Sequence, residues 1–246
     1  MKVSHGKLLI FAAISMFIVA SPSFAFTCDT NTPPIWDPSV TIPKTATIGN
    51  GTVIGKNVTI SGYVTIGTCS QIGTDGMGGS ISAHATLGSN VRMLQNSGIS
   101  RNANINPNTY IRNSHVGSYA YIGWSDTIID SSIGSSATVL GHSKITNSNI
   151  SSHGKLGYGS TLTDSKMSSY AQTGTSANIT GGAYMGYKSS LGGSATLESN
   201  ARVQRYADVD SNVTIHHDAY VGAHAHVCAD VQPGMYIRSY SSYGCP

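Results

Sequence analysis

Large aliphatic residues recur along this chain at a period that neither a helix nor a simple strand produces. In "TATIGNGTVIGKNVTISGYVTIG", Thr45 to Gly67, isoleucine falls at Ile48, Ile54, Ile60 and Ile66, six residues apart each time. The series reaches back to Ile42 and on to Ile72. After an insertion within "GTDGMGG" (Gly73 to Gly79) it resumes at Ile81, Leu87, Met93, Ile99, Ile105 and Ile111. One step in three then shortens to five, which gives a 17-residue repeat: "NSHVGSYAYIGWSDTII", "DSSIGSSATVLGHSKIT", "NSNISSHGKLGYGSTLT", "DSKMSSYAQTGTSANIT". Strict sixes return from Met185 to Val227, and Thr173 is the one polar member. Two residues before each large residue sits a small one, as at Ala46, Thr52, Ser70, Ala183 and Ala201; Asp126 is the exception.

Small-x-large marks a short strand whose alternate residues both enter a narrow interior. Three such strands and three corners make one triangular coil of about 18 residues, and coils stack at strand spacing of about 4.8 Å. The pattern therefore predicts an all-β, single-stranded parallel β-helix of about ten triangular coils, roughly 50 Å long. Glycine after the large residue (Gly49, Gly55, Gly67, Gly117, Gly222) is expected where the chain turns. Residues 26–39, with Trp36, are expected to cap the first coil, residues 40–231 to form the helix, and residues 232–246 to cover the last coil.

Composition adds a compartment. Lys2 and Lys7 flank the apolar run "LLIFAAISMFIVA", which is short for a membrane span, and "SPSFA" resembles a signal-peptidase site. Residues 1–25 are expected to be a cleaved signal peptide, with the mature chain periplasmic or secreted and free of a membrane span. Loss of Lys2 and Lys7 lowers the formal charge from +3 to about +1, which leaves no basic patch suited to nucleic acid. Four cysteines in an oxidising compartment allow three pairings. Cys28–Cys69 and Cys228–Cys245 are expected, since each pins a terminal segment onto the nearest part of the body. No CxxC spacing suggests zinc.

The repeat, a large aliphatic followed often by Gly and then small residues, resembles the hexapeptide-repeat left-handed β-helix family over Val40 to Ile237. That resemblance implies left-handed coiling and a homotrimer, and many members are acyltransferases. "HHDAYVGAHAHV" (His216 to Val227) is similar to the catalytic region of sialic-acid- and bacillosamine-type sugar acetyltransferases. The match makes His217 a general base, Asp218 its orienting acid and His226 a contact to the acyl thioester, with acetyl-CoA or another acyl donor as cosubstrate. His and Asp also occupy corners merely because they tolerate positive φ. The zinc ligands of the family's carbonic anhydrases include two histidines five apart. This chain has no such pair, and Gly181 stands 36 positions before His217, so zinc of that kind is not expected. His216, His217, His224 and His226, four imidazoles in one coil, are the alternative source of a looser metal site, and no metal is the leading expectation.

Stacking turns sequence spacing into surface columns. One corner reads Tyr63, His84, Asn102, Tyr119, Ser136, His153, Tyr170, Lys188, Tyr206, His224, an aromatic and basic stripe suited to a long polymer. Another reads Asn57, Asn96, Asn113, Asp130, Asn147, Asp164, Asn200, Asp218, residues typical of tight turns. Tyr184, Arg202 and Tyr220 would form a cation–π ladder. Asp126, between Thr109 and Ser143 and beside Trp124, is expected to be buried against their hydroxyls with a raised pKa. The leading expectation is an exported binding or structural module for a polysaccharide, with no cofactor. The alternative is the acyltransferase, and the third is ice binding by Thr127, Thr146, Thr161, Thr163, Thr180, Thr196 and Thr214, an array that Lys144, Glu198 and His216 interrupt.

Overall fold

In the computed structural model, which describes residues 28–246, the chain forms a parallel β-helix of 34 strands, each two or three residues long. The expected signal peptide and its cleavage site lie outside the described residues. Each strand pairs in parallel with the strand one coil away, building three sheets of 11, 11 and 12 strands. Face 1 runs from Ile35–Trp36 to Thr214–Ile215, face 2 from Val58–Ile60 to Tyr236–Ile237, and face 3 from Thr47–Ile48 to Ser242–Tyr243. The chain visits faces 1, 2 and 3 in turn, so three edges separate them: edge 1/2, edge 2/3 and edge 3/1. This is the left-handed parallel β-helix.

Every sixth-residue aliphatic points inward, and register places each above its counterpart. On face 1, Ile111 pairs with Ile128, Ile128 with Ile145, and Ile145 with Leu162, all fully buried. A coil alone exposes this interior at both ends, so burial comes from its neighbours. Thr173, the polar member, is buried, and its Oγ1 accepts the Gly157 N–H at 2.8 Å.

The five-residue steps have a local cause. At Asn113, Asp130, Asn147 and Asp164 the backbone turns with φ of 45° to 51°, and a serine follows each. Those serines donate their hydroxyls to the carbonyl two residues back, at 2.6–2.7 Å. Each hydroxyl of Ser114, Ser131 and Ser148 also accepts the N–H of the serine one coil on, at 3.0–3.1 Å. The side chain thus supplies hydrogen bonds that a longer corner would take from backbone, and edge 1/2 draws in over four coils.

The structure corrects two expectations. It holds eleven to twelve strands per face instead of about ten coils, because both terminal segments join the sheets. Ile35–Trp36 pairs with Val53–Ile54, and Trp36 is 42% exposed, so it extends face 1 without plugging the interior. At the other end Tyr236–Ile237 and Ser242–Tyr243 add to faces 2 and 3. Gly49, Gly55, Gly67, Gly117 and Gly222 stand at the turns as expected, without positive φ, and space requires them there. A Cβ at Gly117 would lie 2.6 Å from the Ser135 nitrogen, and one at Gly222 would lie 2.5 Å from that of Ser239. The expected disulfides are present, with Cα separations of 5.5 Å for Cys28–Cys69 and 4.9 Å for Cys228–Cys245.

Leu162→Ala, which empties one level of the face 1 column, is expected to cost about 2–5 kcal/mol of stability. Equilibrium urea denaturation checks it; an unchanged midpoint would contradict the packed column.

Candidate functional site

Edge 2/3 carries the aromatic stripe, and its members share one backbone conformation. From Tyr63 to Tyr240, eleven successive corner residues have φ between 53° and 61°. That left-handed region suits Gly and Asn; for a bulky side chain it costs about 1–3 kcal/mol. Part of the cost is offset by ring contacts along the edge. Tyr63 stacks on His84 at 4.9 Å, His153 on Tyr170 at 4.6 Å, Tyr206 on His224 at 4.8 Å, and His224 on Tyr240 at 4.6 Å. Between Tyr170 and Tyr206 the ring of Tyr187 makes edge contacts at 5.6 and 5.7 Å. The Lys188 ammonium lies 5.4–5.8 Å from the three ring centroids. From His153 to Tyr240 the ladder is unbroken. Such ring pairs contribute about 0.5–1.5 kcal/mol each.

Tyr119 differs. It is 64% exposed with φ 60°, its column neighbours are Asn102 and Ser136, and among the described residues no ring or cation contacts it. No ring stacking offsets its backbone cost, as it does for its column neighbours further along the edge. Two ladder members were missed from sequence. Tyr240 belongs to the final coil and stands 16 residues after His224, a spacing legible once the tail is counted as a coil. Tyr187 lies one residue outside the column, where no periodic signal marks it.

The other candidates are dispersed over the last coils. His217 sits at edge 1/2 and His226 on face 3. The acid beside His217 is Glu198 from the preceding coil, 3.9 Å from Nδ1, and Glu198 also accepts the His217 backbone N–H at 3.3 Å and meets His216 Nδ1 at 3.1 Å. Asp218, expected to orient His217, instead accepts a hydrogen bond from Asn200 Nδ2 at 3.1 Å, as other members of the Asn/Asp column do. His226 Nε2 is 2.9 Å from Asp210, and this hydrogen bond holds its pKa above the ordinary imidazole range. Asp208 lies 3.9 Å away, and the ring rests on the Cys228–Cys245 disulfide, 3.5 Å from Cys228 Sγ. Asp208, Asp210 and His226 converge closely enough to share one cation, a grouping that their spacing in the sequence does not announce.

Asp126 is 1% exposed and points into the coil, away from Trp124, which sits on edge 3/1 against His142 at 4.2 Å. Its partner is the Ser143 backbone N–H at 2.7 Å, and neither expected hydroxyl reaches it. Thr109 donates to Asn106 and Gly123 carbonyls, and Ser143 to those of Leu140 and Gly157. Asp126 Oδ2 is buried without a partner. Burial raises its pKa to about 7, against the opposing hydrogen bonds from Ser143 and Gly123 N–H groups. A protonated carboxyl has the O–H that Thr and Ser offer at this column, so the neutral acid fits where the carboxylate does not.

Drawn-in edge 1/2 and the flank of face 2 form a groove of about 890 Å³, lined by Asn, Asp and Ser side chains with His115, Lys166 and Arg202. On face 2, Tyr184, Arg202 and Tyr220 pair in the expected register, but Arg202 is not sandwiched. Tyr184 accepts the Ser168 hydroxyl at 2.8 Å, and Tyr220 stacks on Tyr236 at 4.9 Å. On face 1 the threonine column is interrupted, since Thr127, Lys144, Thr161, Asn178 and Thr196 follow in register, and no regular array results. Among the described residues no helix is long and apolar enough to cross a membrane.

No protein-family model and no curated protein matches the chain. Similar solved structures include LpxA from Acinetobacter baumannii, at 16% identity over 78% of this chain and 69% of that one, with a TM-score of 0.44. The UDP-N-acetylglucosamine O-acyltransferase LpxA from Moraxella catarrhalis gives 19% identity, 75% and 68% coverage and a TM-score of 0.34. The acetyltransferase domain of PglB from Neisseria gonorrhoeae gives 19%, 52% of each chain and 0.28. The three parallel sheets define the fold by themselves, a left-handed parallel β-helix.

The raised pKa of Asp126 makes stability depend on pH. Its contribution is complete below about 4, where the unfolded carboxyl is also protonated, and is lost as pH rises through about 7. Asp126→Ser is expected to flatten that decline between pH 5 and 8 in thermal melts across this range. Parallel pH profiles for the two proteins would contradict a buried neutral acid.

Proposed function

We propose that this β-helix is an exported, rigid binding module whose edge 2/3 takes a polysaccharide lengthwise. The observation that carries the reading is Tyr119, a largely exposed ring held in a costly conformation without the stacking that its column neighbours have. Asn102, one coil earlier, shows what the corner accepts without that cost. Strain retained at an exposed aromatic fits a ligand contact, because pyranose C–H faces pack on open rings. Corner residues repeat at coil spacing, so the edge offers aligned contacts over about 48 Å. A linear glycan suits such a one-dimensional array, and export would place the module where such polymers occur.

A second reading, acyl transfer, rests on the exposed His217 beside Glu198 at edge 1/2. Imidazole paired with a carboxylate can remove a proton from a sugar hydroxyl or amine. Acetyl transfer from acetyl-CoA to an amino sugar, lost in His217→Ala, would support it, and absence of turnover would exclude it.

Tyr119→Asn separates function from stability. The variant is expected to melt at or above the parent temperature, since the left-handed strain is relieved by about 1 kcal/mol, while affinity for a glycan identified on an array falls at least about fivefold. Tyr170→Ala with Tyr206→Ala should weaken binding further. Unchanged glycan binding in the Tyr119, Tyr170, Tyr206 triple variant would end the proposal.

A further inference from the structure

The cations of edge 2/3 carry a more specific inference, which rests on the polysaccharide reading: we infer that the bound polymer is acidic, bearing carboxylate or sulfate groups. Arg101, Lys188, Arg205 and Arg238 all lie in the corner segments of this edge and all are exposed. Among the described residues none of the four makes a salt bridge; the ion pairs involve Arg112, His216, His217 and His226. No Asp or Glu occupies any corner segment of the edge.

The carboxylates are elsewhere and already engaged. Asp130, Asp164 and Asp218 stand on edge 1/2, each accepting a hydrogen bond from the Asn one coil earlier. Asp208 opens the face 3 strand two residues past the Tyr206 corner, but it is taken up by the Ser190 hydroxyl and His226, and Asp210 pairs with His226 further along face 3. Residues 28–246, with 12 Lys and Arg against 11 Asp and Glu, have thus gathered cations without carboxylate partners on their aromatic edge. Their summed field attracts an anionic ligand and orients it along the edge. Lys188 and Arg205 project from successive coils, about 4.8 Å apart along the axis. A guanidinium grips carboxylate or sulfate through two parallel, charge-assisted hydrogen bonds, and a neutral glycan carries neither anion.

Single-stranded nucleic acid is also anionic and stacks on rings. It needs open ring faces in series, however. From His153 to Tyr240 the faces cover one another or Lys188, with the parallel pairs at 4.6–4.8 Å, which leaves no room for a base between them. A sugar chain with pendant acids can instead lie across the ring edges and reach the cations between them.

The test titrates the mature protein with a polyuronate, a sulfated galactan, a neutral glucan and single-stranded DNA of matched length, by calorimetry. At least one acidic polysaccharide is expected to bind about tenfold more tightly than the glucan, and to weaken about tenfold from about 50 mM to about 500 mM salt. Lys188→Gln with Arg205→Gln should remove most of that preference while the circular dichroism spectrum of the folded β-helix holds. Equal affinity for acidic and neutral polymers would overturn the charge inference and leave the polysaccharide reading intact. Binding of none of the polysaccharides would end both, and tighter binding of DNA than of any polysaccharide would overturn the inference.

Discussion

Parallel backbone pairing between successive coils is the constraint on which the rest of this molecule depends. It sets one spacing along the axis and ties each residue to a counterpart 17 or 18 positions away. Inside, it aligns the aliphatic columns that no single coil could bury. Outside, the same register turns each edge into a file of side chains at strand spacing. A surface built this way has long-range order in one dimension, which loops on a globular domain do not supply. Both terminal segments obey the rule, and each is locked by a disulfide to a residue of the body or the closing coil.

The edges answer to different physical demands. Edge 1/2 uses Asn and Asp in left-handed turns followed by serine, a solution in which side-chain oxygens complete the backbone hydrogen bonding. Edge 2/3 places Tyr and His in the same conformation at greater cost, which ring stacking partly offsets. At Tyr119 the stacking is missing and the cost remains. That contrast between two edges of one coil, under the same backbone geometry, distinguishes residues selected by the fold from residues the fold merely accommodates.

The fold was legible because a six-residue period has only one physical solution: a large side chain every sixth position requires three short strands per turn. The five-residue steps were visible as numbers, but their cause was not, since the serine ladder needs coordinates to show Ser131 N–H meeting Ser114 Oγ. The aromatic edge followed from register alone. Its extension to Tyr240 did not, because the tail was read as a cap and not as a further coil. Around His217 the sequence misled for a general reason: adjacency suggested Asp218 as its partner, whereas in a β-helix the neighbour of a corner residue lies one coil away, and Glu198 is that neighbour. Asp126 was recognisable as an anomaly in its column. Whether a hydroxyl or an N–H would satisfy it depended on where Thr109 and Ser143 already donate.

The central claim is directional: a polymer should follow the axis along edge 2/3, in step with the coils. A crystal structure of the mature protein with an acidic oligosaccharide tests this most directly. The account predicts a sugar chain running parallel to the axis, packed on Tyr119 and meeting Lys188 or Arg205. An oligosaccharide seated in the edge 1/2 groove, or crossing the coils at right angles, would contradict it.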